Sequence, residues 1–141
     1  MTFDSAERAR LGALADVLIP AGGGFPSASQ AGVADGGLDQ ILSFRPDLEA
    51  GLRRLAELAA GRPPGEVVAD LKKTPDLFGV LAEFAPGAYF LNPDVRAKLG
   101  YGGQRAVPLD PRPDYLEDGL LQSVLDRGPI YRPTPEAPKQ P

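Results

Sequence analysis

Few side chains in this sequence could do chemistry. Glu83 lies between Ala82 and Phe84, and Asp114, Glu117 and Asp118 cluster around Tyr115. A carboxyl among apolar neighbours can become a general acid, and grouped carboxylates can hold a hard cation. Each also has a plainer reading. Glu83 points outward by its helical position. Asp114 and Glu117 have the Asp-x-x-Glu spacing of a capping box. Gly22-Gly23-Gly24 follows a helix instead of opening one, and lacks the Lys-Ser/Thr of a phosphate loop. The chain has no histidine and no cysteine. That removes thiol nucleophiles, Cys/His zinc sites, covalent haem attachment and the commonest general base near neutral pH. A small enzyme would have to work with groups such as Glu83, Asp114 and Tyr115. No convincing acid pair is among them, so no catalytic, cofactor-binding or metal-ligating residue is expected.

The residues that stand out are suited to recognition. Tyr89 and Phe90 precede Asn92-Pro93-Asp94, and Gly100 and Tyr101 follow. Asn92 is a candidate N-cap, Pro93 suits the first helical position and Gly100 a left-handed stop. This reads as one short helix held between aromatic anchors. Near the C-terminus, Gly128-Pro129-Ile130-Tyr131-Arg132 combines residue types enriched at interfaces with backbone that favours an extended arm. From Pro133 onward the chain is mostly proline and polar residues. A groove lined with aromatics on another protein could also read that tail, which makes a free-standing helical adaptor the alternative function.

The elements that must position these residues are helical. Asp4 and Glu7 form a capping box ahead of Leu11, Leu14 and Leu18, predicting a helix over 5–18 that ends before Pro20. A glycine-rich loop carrying Phe25 follows. A second helix is expected over 35–44, weakened by Gly36-Gly37. Pro46 opens a third, with Leu48, Leu52, Leu55 and Leu58 as its stripe. A short fourth covers 65–73. Thr74-Pro75-Asp76 starts a fifth, which Pro86 should end or kink near Ala85. The helix from Pro93 is the sixth. Leu116, Leu120 and Val124 place the last between the Asp114 capping box and Asp126. The fold class expected is all-α: six or seven short helices with long Gly/Pro-rich connections. The expected domain is 1–126, followed by an extended arm over 127–141.

Composition sets the bounds. The 141 residues suffice for one core, and 17 Gly with 16 Pro imply much irregular backbone. The net charge of −4 disfavours nucleic acid and anionic membranes. No apolar run approaches a membrane span, and the acidic N-terminus has no basic n-region, so the sequence as written reads as cytoplasmic.

Three segments resemble the gluconate 2-dehydrogenase subunit 3 family. Leu11-Gly12-Ala13-Leu14-Ala15-Asp16-Val17-Leu18-Ile19-Pro20 with its glycine-rich loop looks like the family's opening, and Gln30-Ala31-Gly32-Val33-Ala34-Asp35 is similar to the approach to its second helix. Residues 89–102, from Tyr89 through Asn92-Pro93-Asp94-Val95 to Leu99-Gly100-Tyr101-Gly102, resemble its late signature. The resemblance implies a small helical accessory subunit that binds, stabilises and helps mature a larger FAD-dependent oxidoreductase of the glucose-methanol-choline (GMC) type, acting on sugars, glycosides or related alcohols. Many such complexes add a cytochrome subunit. FAD would then be in the partner and no cofactor in this chain. Family members commonly carry a twin-arginine signal, which is missing before the first helix here; its removal would make the protein periplasmic. Phe25, Tyr89, Phe90, Asn92, Pro93, Tyr101 and Gly128 to Arg132 are the expected partner-binding residues.

Overall fold

The helices begin where side chains can satisfy their first N–H groups. In the computed structural model, which describes residues 2–104, 106 and 118–130, α1 spans Ser5–Leu18. The Asp4 carboxylate accepts from Glu7 N and the Glu7 carboxylate from Asp4 N, both at 2.8 Å. This reciprocal pair satisfies two donors that would otherwise lack intrahelical partners. Next come α2 (Gly36–Phe44), a 3₁₀ turn (Pro46–Leu48), α3 (Glu49–Leu58) and α4 (Pro64–Leu71). Then follow α5 (Pro75–Leu91), α6 (Pro93–Lys98) and α7 (Gln122–Arg127). The fold is all-α, with no strand among the described residues beyond one isolated bridge between Gly22 and Phe25. No described helix is long and apolar enough to cross a membrane.

Helix α5 is the centre of the packing and touches α1, α2, α3, α4 and α6. Leu81, Phe84, Ala85, Ala88 and Tyr89 are its buried residues. They meet Leu11 and Leu14 of α1, Leu38 of α2, Leu52 and Leu55 of α3 and Val67 and Leu71 of α4 in one apolar cluster. Close approach depends on small residues. A Cβ on Gly51 of α3 would lie 2.7 Å from Val80 Cγ2, and one on Gly37 of α2 would lie 3.2 Å from the Ala88 Cβ.

Pro86 does not end α5, contrary to the local rule: the helix continues to Leu91. A proline removes one hydrogen bond to the preceding turn, at a cost of about 3 kcal/mol. Burial of Phe84, Ala85, Ala88 and Tyr89 on both sides of it outweighs that local loss, each large side chain contributing roughly 1.5–3 kcal/mol.

The N-terminal segment is bound to the bundle by two arginines. The Arg53 guanidinium stands 4.3 Å from the Phe3 ring centroid and pairs with Glu49 and Glu7. Arg8 donates to the Ala34 and Asp35 carbonyls at 3.1 and 2.8 Å and pairs with Asp39, fastening α1 to the start of α2.

Contacts divide the chain into two units, 1–103 and 104–141, so the division falls well before the expected boundary at 126/127. In the second unit α7 starts only at Gln122, and residues 118–121 are bend and turn. Gly119 takes φ +74° there, which interrupts the Leu116–Leu120–Val124 spacing that suggested a longer helix. The capping box Asp114–Glu117 lies outside the described residues. None of this unit's described residues is buried, and Leu120, Val124, Leu125 and Ile130 are exposed.

Candidate partner interface

The segment 89–102 forms a corner, where α5 gives way to α6, and three hydrogen bonds stitch it to the loop after α1. Asn92 sits at the joint. Its Oδ1 accepts from Asp94 N and Val95 N at 2.7 and 3.2 Å, capping α6, and its Nδ2 donates to the Ala31 carbonyl at 2.9 Å. The Tyr89 hydroxyl donates to the Pro26 carbonyl at 2.8 Å. The Lys98 ammonium donates to the Gly24 carbonyl, also at 2.8 Å. Gly100 closes α6 at φ +69°, a conformation that L side chains rarely adopt, and Tyr101 N returns to the Arg96 carbonyl at 2.9 Å.

The same loop is fastened to α1 by a latch that the sequence reading missed. Asp16 accepts from Ser29 N at 2.7 Å and from Ser29 Oγ at 2.6 Å. Partial burial pushes the Asp16 carboxyl up, but the hydrogen bonds from the Ser29 hydroxyl and backbone outweigh it and hold its pKa below the ordinary value. A carboxylate so held is a poor base toward the Ser29 hydroxyl. The pair acts as a clasp. Its sequence signal was weak, an aspartate on a helix and a serine thirteen positions later.

The expected interface residues separate into distinct environments. Tyr89 is 4% exposed, so it belongs to the core and is no anchor for a partner. Its neighbour Phe90 is 51% exposed, with its ring edge-on to Tyr89 at 5.5 Å. Tyr101 is 54% exposed, Pro93 is exposed, and Asn92 and Phe25 are half-buried. Leu99, not singled out from the sequence, is 51% exposed beside them in the chain. Phe90, Leu99 and Tyr101 are thus the exposed large apolar side chains of this segment. In the second unit Gly128 is half-buried while Pro129 and Ile130 are exposed; Tyr131 and Arg132 lie outside the described residues.

The carboxylates weighed for chemistry are placed as follows. Glu83 faces outward and pairs with Arg45 at 2.8 Å. Arg45 also holds Asp47, whose carboxyl it keeps below the usual range, while both carboxylates raise the Arg45 pKa. Asp118 is in the bend before α7, and Asp114, Tyr115 and Glu117 are outside the described residues. Among the described residues, no three carboxylates converge as metal ligands would. An open groove of about 330 Å³ runs between α3 and α4 over Leu58, Val67, Leu71 and Leu77. Its rim arginines are already paired, Arg54 with Glu57 and Arg62 with Asp70.

No protein-family model, curated protein or solved structure matches this chain.

Proposed function

We propose that this chain is a non-catalytic small subunit that binds, stabilises and helps mature an FAD-dependent oxidoreductase of the GMC type, acting on sugars, glycosides or related alcohols. The observation that carries the reading is the corner at residues 89–102. Its sequence resembles the late signature of the gluconate 2-dehydrogenase subunit 3 family, and its cap and three cross-links fasten a segment whose Phe90, Leu99 and Tyr101 are exposed. Rigid aromatic anchors of this kind bury area on a partner with little loss of side-chain entropy. The second unit supports the same reading. A segment of this size rarely builds a core of its own, and its Leu120, Val124, Leu125 and Ile130 lie open.

The flavin belongs to the partner in this account, and this chain contributes folding and assembly. The test is to produce the flavoprotein with and without this chain. Co-production should raise the yield of soluble, flavin-loaded enzyme several-fold. Equal yield and equal flavin content in both cases would contradict the proposal.

A further inference from the structure

We infer that the partner meets this corner with an apolar patch rimmed by carboxylates, which receive Arg96 and Lys98 while Phe90, Leu99 and Tyr101 pack between them. The inference rests on reading the corner as a protein interface and adds the chemistry of the opposing surface.

Charge is segregated along the chain. Between Asp94 and Asp110, residues 95–109 contain Arg96, Lys98 and Arg105 and no carboxylate, in a chain of net charge −4. Among the described residues most other basic groups are matched, Arg10, Lys72 and Arg127 being the exceptions. Arg8 pairs with Asp39, Arg45 with Asp47 and Glu83, Arg53 with Glu7 and Glu49, Arg54 with Glu57, and Arg62 and Lys73 with Asp70. Among the described residues, Arg96 and Lys98 form no ion pair. Lys98 donates to the uncharged Gly24 carbonyl, which orients the ammonium but leaves its charge unbalanced. Two cations without an ion pair therefore stand against one carboxylate, Asp94, on the helix that precedes the exposed Leu99 and Tyr101.

Cations next to exposed apolar side chains favour a partner surface of opposite charge, which sets register and speeds association. The groove between α3 and α4 has no such surplus, since its arginines are neutralised on the spot. An anionic membrane is the weaker occupant. Helix α6 has six residues, too few for an amphipathic face lying in the lipid plane, and the rest of the chain is acidic.

The test uses the full chain with a benzophenone amino acid at position 101, irradiated in its native cells, and the cross-linked partner peptide is sequenced. Affinity for the purified partner is then compared between the unaltered chain, Arg96→Gln/Lys98→Gln and Arg96→Glu/Lys98→Glu. The cross-linked peptide is expected to carry Asp or Glu. The Glu double variant should bind at least about tenfold more weakly and the Gln variant less so. Added salt should weaken the unaltered chain more than either variant. Reversing the partner's acidic residues should restore binding of the Glu variant. Equal affinity for all three chains would overturn the inference, as would binding to vesicles of about 30% anionic lipid that the variants lose in parallel. A flavin-free partner that obeys the charge pattern would sink the proposed function and leave this inference standing. A flavoprotein indifferent to the variants would do the reverse.

Discussion

Replacing Tyr89 with Phe and Tyr101 with Ala should separate the two jobs of the corner. Tyr89 is 4% exposed and its hydroxyl donates to Pro26 at 2.8 Å, so Tyr89→Phe keeps the ring in the core and deletes one hydrogen bond. Such a bond contributes about 0.5–1.5 kcal/mol, and the Pro26 carbonyl left without its donor adds to the loss. The expected cost is about 1–2 kcal/mol. In a unit of this size each kcal/mol lowers the melting temperature by about 4–8 °C. Tyr101 is 54% exposed, with no side-chain partner among the described residues, so Tyr101→Ala should shift stability by no more than about 0.5 kcal/mol. It should nonetheless weaken partner binding by roughly tenfold or more, as loss of an interface aromatic does. Thermal melts of the isolated chain and affinity for the purified partner read the two effects independently. An unchanged melting temperature for Tyr89→Phe would refute the claim that the hydroxyl stitches the corner to the loop. Unchanged affinity for Tyr101→Ala would remove that residue from the interface.

Gly51→Ala and Gly79→Ala should move stability in opposite directions. A Cβ at Gly51 meets Val80 at 2.7 Å, so overpacking of about 1–3 kcal/mol should exceed the helix-propensity gain of about 1 kcal/mol. At Gly79, also within a helix, nothing lies within 4 Å and the propensity gain should appear alone. Denaturant melts check both, and equal signs would contradict the α3–α5 packing. The pH profile follows from depressed carboxyl groups: Asp16, Asp47, Glu49 and Asp70 all sit below their ordinary values when folded. Depressed groups contribute stability above their unfolded pKa and lose it as pH falls through the folded pKa. The melting temperature should therefore be nearly flat from about pH 5 to 8, where no histidine titrates, and fall below about pH 4. Asp16→Asn should lower the plateau and remove part of that acid loss. A profile identical in shape to that of the unaltered chain would argue against the Asp16–Ser29 clasp.

Local signals recovered two of the caps, whereas Thr74 precedes α5 without a capping hydrogen bond from its side chain. Asp4 with Glu7 and Asn92 with Pro93 and Gly100 mark helix ends by chemistry that acts within one turn, and the structure keeps them. Pro86 shows where local chemistry is overruled, because burial on α5 is set by helices distant in sequence. Tyr89 and Phe90 show the same limit at the site. In the sequence Leu77, Leu81, Phe84 and Ala88 recur at helical spacing and mark one face, whereas α5 contacts five helices and its buried arc widens to include Ala85 and Tyr89. Sequence spacing alone does not reveal that width. The Asp16–Ser29 clasp and the Lys98–Gly24 bond join residues far apart in the chain, so no spacing rule reaches them. At the C-terminal end, the Leu116–Leu120–Val124 pattern was genuine, but Gly119 in a left-handed conformation outweighed it.

The most direct test of the accessory-subunit account is to recover this chain by an N-terminal tag from its native cells and record the absorption spectrum of what comes with it. The account predicts a larger co-purifying protein with flavin bands near roughly 370 and 450 nm. A colourless, stable monomer recovered without a companion would contradict it.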